Sequence, residues 1–250
     1  MSGHSKWSSI KHKKGALDAK RGKIFTKHAK MITLAARDGG ADPDMNSALR
    51  LAIDNAKADN TPNNNIERAI KRGTGDLKDA AEIVEIMYEG YGPVGTALMI
   101  QCLSDNKNRT VSNVKSTLAK NGGNMGTSGS VAYMFQRKGM IIVKLGDKDR
   151  DEAELALIDT GAEDIQGEGD TLEVQTDAAD LAKVRENIVN LGFEVASAEI
   201  AYIPDNTVKI DEVDKAKKVL KLMDALDEDE DVSNVFSNFD IPDEIFNSLS

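Results

Sequence analysis

The chain has 250 residues, 40% of them hydrophobic, 30% charged and 4% aromatic, and a formal net charge of −10 at pH 7. That balance fits a folded globular protein, excludes disordered and fibrous classes, and leaves room for one large domain or two to three small ones. A single cysteine, Cys102, excludes an intramolecular disulfide framework, and no apolar run approaches bilayer length, so a cytoplasmic protein with no membrane contact is expected.

The first thirty residues run against the overall charge. They hold nine Lys or Arg, one acid (Asp18) and all three histidines. Residues 1–75 carry 15 Lys/Arg and 7 Asp/Glu, whereas the remaining 175 carry 17 and 35. The chain is a cationic arm on an anionic body, with no apolar core of the kind a secretory signal has.

The helical period appears first in "IFTKHAKMITLAAR", where Ile24, His28, Met31, Ile32 and Ala35 fall on one face. Gly39 and Gly40 close it, and Asp42-Pro43 reads as a cap followed by the first residue of a second helix, with Leu49, Ala52, Ile53 and Ala56 inward. Thr61 then reads as a cap, Pro62 as an opening residue, Ile66 and Ile70 as the inner face and Gly73 as the stop. Three such helices predict a small bundle ending near Gly75.

Past Asp76 the pattern changes to strands, "EIVEIMYEGY", "GTALMIQCLS" and "SVAYMFQRKG", with a helix in "NRTVSNVKSTLAKNGG". Residues 137–206 then read β, α, β, β, α, β, the split βαβ of ferredoxin-like domains. A helix, "VDKAKKVLKLMDAL", and a strand, "VSNVFSNFDIP", follow with no sheet of their own. Added to the strands before residue 137, they make a second four-stranded, two-helix unit interrupted by the first. The predicted fold is therefore α+β and multidomain. A small N-terminal helical bundle (1–78) precedes two α/β sandwich domains, the ferredoxin-like one (137–206) inserted into the other (79–136 with 207–241).

Within the arm, Lys6, Lys11, Lys13, Lys14, Lys20, Arg21 and Lys23 alternate with Ser, Gly, His12 and the single Trp7, too few apolar side chains to fold alone. Lysines of this density suit phosphate backbones, where each neutralised phosphate releases a counterion, and Trp7 offers a face worth about 1–3 kcal/mol for a stacked base. Lys27 and Lys30 extend the same cationic run, and Arg37, Arg50, Lys57, Arg68, Lys71 and Arg72 carry it through the later helices. The alternative is a solvated charge run; the opposite sign of the body favours a nucleic-acid contact, since solubility alone needs no countercharge.

Other constellations carry less. His4, His12 and His28 lack the partners of a zinc set, and His28 falls on the apolar stripe of the first helix. Cys102 sits in a strand, as inert buried thiols do. "GTGD" and "GEGDT" lack the lysine of a phosphate loop, and the "DEDED" run, 227–231, reads as a solvated turn. No catalytic set, metal, cofactor or small-molecule substrate is expected. "YEGYGPVG" and "SDNKNRT" read as turn and cap chemistry, or else, through Tyr91 and Arg109, as contacts for a partner.

Taken together, "GHSKWSSIKHKK", "DAKRGKIFTK", "AARDGGADPDMNSALRLAIDNAKADNTPNNNIERAIKRG", "YEGYGPVG", "SDNKNRT", "GSVAYMFQRKG" and "VSNVFSNFDIP" resemble the successive signature blocks of the YebC/PmpR family. A mitochondrial relative in that family is a translational activator of a cytochrome oxidase subunit. The resemblance runs to about Ile241 and implies three domains, the third inserted into the second, and a non-enzymatic regulator of gene expression. It implies a DNA-binding transcriptional regulator or, alternatively, a ribosome-associated translation factor binding ribosomal RNA. In either case the acidic α/β domains would position or recruit the ribosome or other proteins. Thr61 stands where other members often have methionine.

Overall fold

A computed structural model of the chain describes residues 18–77, 81–167 and 169–249, with side chains from Arg21 onward. In chain order the elements are α1 (Asp18–Gly39), α2 (Ser47–Ala58), α3 (Asn63–Gly73), β1 (Val84–Tyr91), β2 (Ala97–Ser104), α4 (Lys107–Lys120), β3 (Asn124–Met125), β4 (Phe135–Lys144), α5 (Arg150–Ile158), β5 (Asp164–Gln166), β6 (Thr171–Asp177), α6 (Leu181–Asn190), β7 (Glu194–Pro204), β8 (Val208–Lys209), α7 (Val213–Asp227), β9 (Val232–Ser237), β10 (Phe239–Asp240) and α8 (Asp243–Asn247). They group into two compact units. The first takes the described parts of Met1–Lys30, Asp79–Gln136 and Ile203–Ser250; the second takes those of Met31–Lys78 and Arg137–Tyr202.

In the first unit, an antiparallel sheet has the order β3-β1-β2-β9. β2 is central and almost wholly buried, so its "ALMIQCLS" needs no polar alternation. α4 and α7 cover the sheet, burying Val114 and Leu118 from one and Val219, Leu222, Met223 and Leu226 from the other against Leu98, Ile100, Cys102 and Val235. The chain leaves β9 through Asn238, whose Oδ1 accepts from the Ala97 amide, into β10, which pairs in parallel with β8.

The predicted joining of the last helix and strand to the earlier strands is what this sheet contains, with one change of membership. "SVAYMFQRKG" is not its third strand. Ala132–Met134 is a 3-10 turn, and the strand from Phe135 belongs to the other sheet, so the third strand is the two-residue β3. The Glu89 carboxylate forces the turn by accepting from the amides of Gly129 (2.6 Å), Val131 (2.7 Å) and Ala132 (2.9 Å). These are donors that a continuing strand would spend on a ladder.

The second unit holds the ferredoxin-like sheet, in the order β5-β6-β4-β7, with α5 and α6 packed over Ile141, Val143, Leu172 and Val174. Against it lies the helical segment. Asp54 pairs with Arg185 at 2.8 Å. The Asn55 side chain accepts from the Ala198 amide (3.1 Å) and donates to its carbonyl (2.7 Å), closing both backbone groups on edge strand β7.

Along the N-terminal helices three local expectations change. The helix expected from Ile24 already begins at Asp18, so 18–23 of the basic arm is helical. Asp42-Pro43 forms a turn, and α2 is capped instead by Asn46, whose Oδ1 accepts from Leu49 N while its Nδ2 donates to the Ala35 and Gly40 carbonyls. One side chain thereby joins the end of α1 to the start of α2. Thr61 makes no cap bond, and its hydroxyl is buried with no partner among the described residues. The stop at Gly73 has a packing cause as well, since a Cβ there would stand 2.4 Å from the Thr33 carbonyl oxygen of α1.

Candidate nucleic-acid interface

Lysines 23, 27 and 30 share one face of α1, because steps of three and four residues bring side chains round to the same side. In the first unit that face meets the segment after α7. Lys23 Nζ donates to the Glu228 carbonyl at 2.7 Å, at the C-cap of α7, where an unfilled carbonyl and the helix dipole both favour a cation. Lys27 donates to Asn234 Oδ1, and Lys30 to the Glu230 carbonyl (2.7 Å) and Asp231 Oδ1 (2.9 Å).

Asp231 is the centre of this arrangement. It is 3% exposed, the last acid of the "DEDED" run, and not part of a solvated turn. Its carboxylate takes Arg109 through Nε (3.0 Å) and Nη2 (2.8 Å), Thr110 Oγ1 (3.0 Å) and Lys30. Its carbonyl accepts from the Leu103 amide at 2.8 Å, beside the irregularity where β2 and β9 shift register. Burial pushes the Asp231 carboxyl up. The hydrogen bonds from Lys30, Arg109 and Thr110, with the charge of Lys30, outweigh it and hold the group below the ordinary aspartate value. Asp105 adds a second carboxylate to Arg109 at 3.0 Å.

Of the expected site residues, Lys6, Trp7, Lys11, His12, Lys13 and Lys14 lie outside the described residues, and Lys20 is described only as a backbone position in α1. Arg21 and Lys23 are exposed on α1, while Lys27 and Lys30 are half-buried against the hub. Tyr91 donates from its hydroxyl to the Ser130 carbonyl at 3.0 Å, and Arg109 is half exposed with both carboxylates on it. His28 is buried, as its place on the stripe predicts. In the second unit Arg50, Lys57, Arg68 and Lys71 are exposed on α2 and α3, with no ion-pair partner among the described residues.

Chemically, the hub is a set of satisfied charges. Thr26, Lys30, Asp105, Arg109, Asn113 and Glu230 line an open groove over it, but both cations there are already engaged. The exposed cations of α2 and α3 have no such carboxylate partner among the described residues. Cys102, in β2, is buried, and burial pushes its thiol up to about 12. Among the described residues no group of three or more His, Cys, Asp or Glu could hold a metal, and no helix is long and apolar enough to cross a membrane. Sequence reasoning missed Asp231; the one signal was its position directly before the β-rich run "VSNVFSNF".

Comparison with known proteins bears on the whole chain. Residues 5–76 match the family description "TACO1/YebC protein N-terminal domain", and residues 83–239 match "TACO1/YebC second and third domain". A "Probable transcriptional regulatory protein" of Halothermothrix orenii is 53% identical, over 100% of this chain and 99% of its own length. One of Fusobacterium nucleatum is 49% identical over 100% of both chains. The crystal structure of a conserved hypothetical protein from Aquifex aeolicus superposes with a TM-score of 0.86 at 44% identity, covering 91% of this chain and 93% of the other. With matches over both halves and relatives of this identity along its full length, the chain belongs to the TACO1/YebC family.

Proposed function

We propose that this protein is a non-enzymatic, cytoplasmic regulator of gene expression that binds nucleic acid, most simply DNA, through its basic N-terminal segment and the helices after it. The observation that carries the reading is the charge map: nine Lys or Arg against one acid in residues 1–30, on a chain of net charge −10. Such a segment gains affinity from counterion release, while an acidic body repels the same polyanion. The names of the curated relatives support a regulator. The buried thiol of Cys102, which burial pushes up to about 12, argues against cysteine catalysis, because a nucleophilic cysteine needs a thiolate and access.

The hub narrows which cations take part. Lys23, Lys27 and Lys30 are engaged within the first unit, so the reading assigns phosphate contact to Lys6, Lys11, Lys13, Lys14 and Lys20 of the arm and, in the second unit, to Arg50, Lys57, Arg68 and Lys71. The test is the combined variant Lys11→Glu, Lys13→Glu, Lys14→Glu, titrated against duplex DNA and ribosomal RNA at several salt concentrations. Its plot of log affinity against log salt should be shallower by about 2–3, from about 0.9 per lost phosphate contact on a duplex. An unchanged slope overturns the reading. Sedimentation of cell extract after DNase then separates targets: persistence with ribosomal subunits assigns the protein to RNA, and its loss assigns it to DNA.

A further inference from the structure

The helix layer of the first unit is cationic, although residues 76–250 as a whole are strongly acidic. α4 carries Lys107, Arg109, Lys115 and Lys120 and no acid. α7 carries Lys215, Lys217, Lys218 and Lys221 against Asp214, Asp224 and Asp227. Both helices turn their apolar stripes to the sheet and pack on each other, which leaves these lysines exposed.

Their relative direction follows from the strands. α4 leaves β2 and α7 enters β9, and those two strands are antiparallel neighbours, so the helices run antiparallel. Contact of Arg109 and Thr110, at the start of α4, with Asp231, just beyond the end of α7, agrees with that. The C-terminal half of α4, with Lys115 and Lys120, therefore lies beside the N-terminal half of α7, with Lys215, Lys217 and Lys218, and Lys221 follows at the middle of α7. The layer is polarised. Its acidic end, Asp224 to Asp231, receives Lys23, Lys30 and Arg109, and its other end carries the lysines.

Among the described residues Lys215 alone of that group is paired, with Glu212 at 2.7 Å. Lys115, Lys120, Lys217, Lys218 and Lys221 have no partner among the described residues, and Asp214, one turn before Lys218, makes no ion pair with it. Lys217 and Lys218 also stand four and three residues before Lys221, like-charge spacings that destabilise a helix. Among the described residues neither fold stability nor a countercharge accounts for this concentration. Flexible lysines on an open helix face, with no aromatic side chain on either helix, suit the repeating phosphates of a backbone and not its bases.

We propose that this end of the α4–α7 layer is a second nucleic-acid contact, gripping the sugar-phosphate backbone without sequence preference. It rests on the proposed function above and adds a surface to it that the acidic body would otherwise be thought to lack.

The test uses the full chain with Lys115, Lys120, Lys217, Lys218 and Lys221 all changed to Ala, probed by fluorescence anisotropy with a labelled duplex DNA and a labelled duplex RNA of about 30 base pairs, long enough to span several phosphate contacts. Affinity at low salt should fall at least about tenfold and the salt slope should drop by about 2–4, against a ceiling of about 0.9 for each of the five lysines. The variant Lys217→Arg, Lys218→Arg, Lys221→Arg should keep the wild-type slope, and retention by it shows that charge rather than packing is read. Should the alanine variant not fold, Lys217→Glu with Lys221→Glu gives the same reading at two exposed positions. A wild-type slope in the neutralised variants, with binding abolished by the changes at Lys11, Lys13 and Lys14, overturns the second surface and leaves the proposed function standing. Absence of binding by the wild-type chain to either probe overturns both. Tighter binding of a polyglutamate peptide than of either duplex also overturns the proposal, in favour of an acidic protein partner.

Discussion

Replacing Asp231 by Asn tests whether the hub holds α1 and α4 to the sheet of the first unit. The carboxylate accepts from Lys30 at 2.9 Å, from Arg109 at 2.8–3.0 Å and from Thr110 at 3.0 Å. An amide keeps one acceptor but puts an NH2 where the second oxygen stood, facing donors. A charge-assisted hydrogen bond contributes about 1.5–3 kcal/mol, and breaking a wholly buried ion pair costs about 3–5 kcal/mol. Arg109 is half exposed and rehydrates, so the loss comes mainly from Lys30 and Thr110, about 2–3 kcal/mol in all. Scanning calorimetry should show this as a fall of about 5–10 °C in Tm. Faster amide exchange at Leu103, which donates to the Asp231 carbonyl, would locate it.

The pH dependence supplies an independent check. The folded Asp231 carboxyl titrates below its unfolded value because its cationic partners outweigh burial. A group shifted that way adds stability above the unfolded value, about 3.9, and loses it as pH falls through the lower folded value. The difference between wild type and the Asn variant should therefore be full at neutral pH and close in acid below about pH 4. A difference under about 1 °C at neutral pH, on the same conversion of stability to Tm, would refute the reasoning, as would one that does not shrink in acid.

Glu89→Gln replaces a carboxylate that burial pushes up but that the amides of Val131, Gly129, Ala132 and Ser130 hold below the usual glutamate value. It should cost about 2 kcal/mol at neutral pH, less in acid, with exchange at Gly129 and Val131 accelerated. Asn55→Ala removes both bonds to Ala198 on edge strand β7; a loss of about 1–2 kcal/mol is expected by urea titration, and the Ala198 amide should lose protection. The Cys102 thiol, buried and raised to about 12, should resist a disulfide reagent at mildly alkaline pH in the native protein and react fully in guanidinium. Rapid native labelling would show that β2 opens.

Most of the fold is legible because its signals are local. The βαββαβ order of residues 137–206 follows from alternation within strands and from the helical period of stretches such as the one holding Leu181, Val184 and Ile188, and each signal spans only a few residues. Where reading failed, a distant group had taken over a local one. Asn46 displaced Asp42 as a cap because it can also tie down the end of α1, and Glu89 turned the chain at 129–132 from a neighbouring strand. β3 is too short to show any alternation.

The sequence by itself determined the order and type of most elements, the inert placing of Cys102 and the opposition between a cationic front and an anionic body, since composition and periodicity are properties of the chain alone. Only the tertiary structure decided which charges face water. Lys30 and Asp231 are 201 residues apart and meet at 2.9 Å, whereas Lys217, Lys218 and Lys221, within one turn and a half of α7, find no partner among the described residues. Pairing depends on burial and on what the fold brings within hydrogen-bond distance, and neither is written in the spacing of residues along the chain.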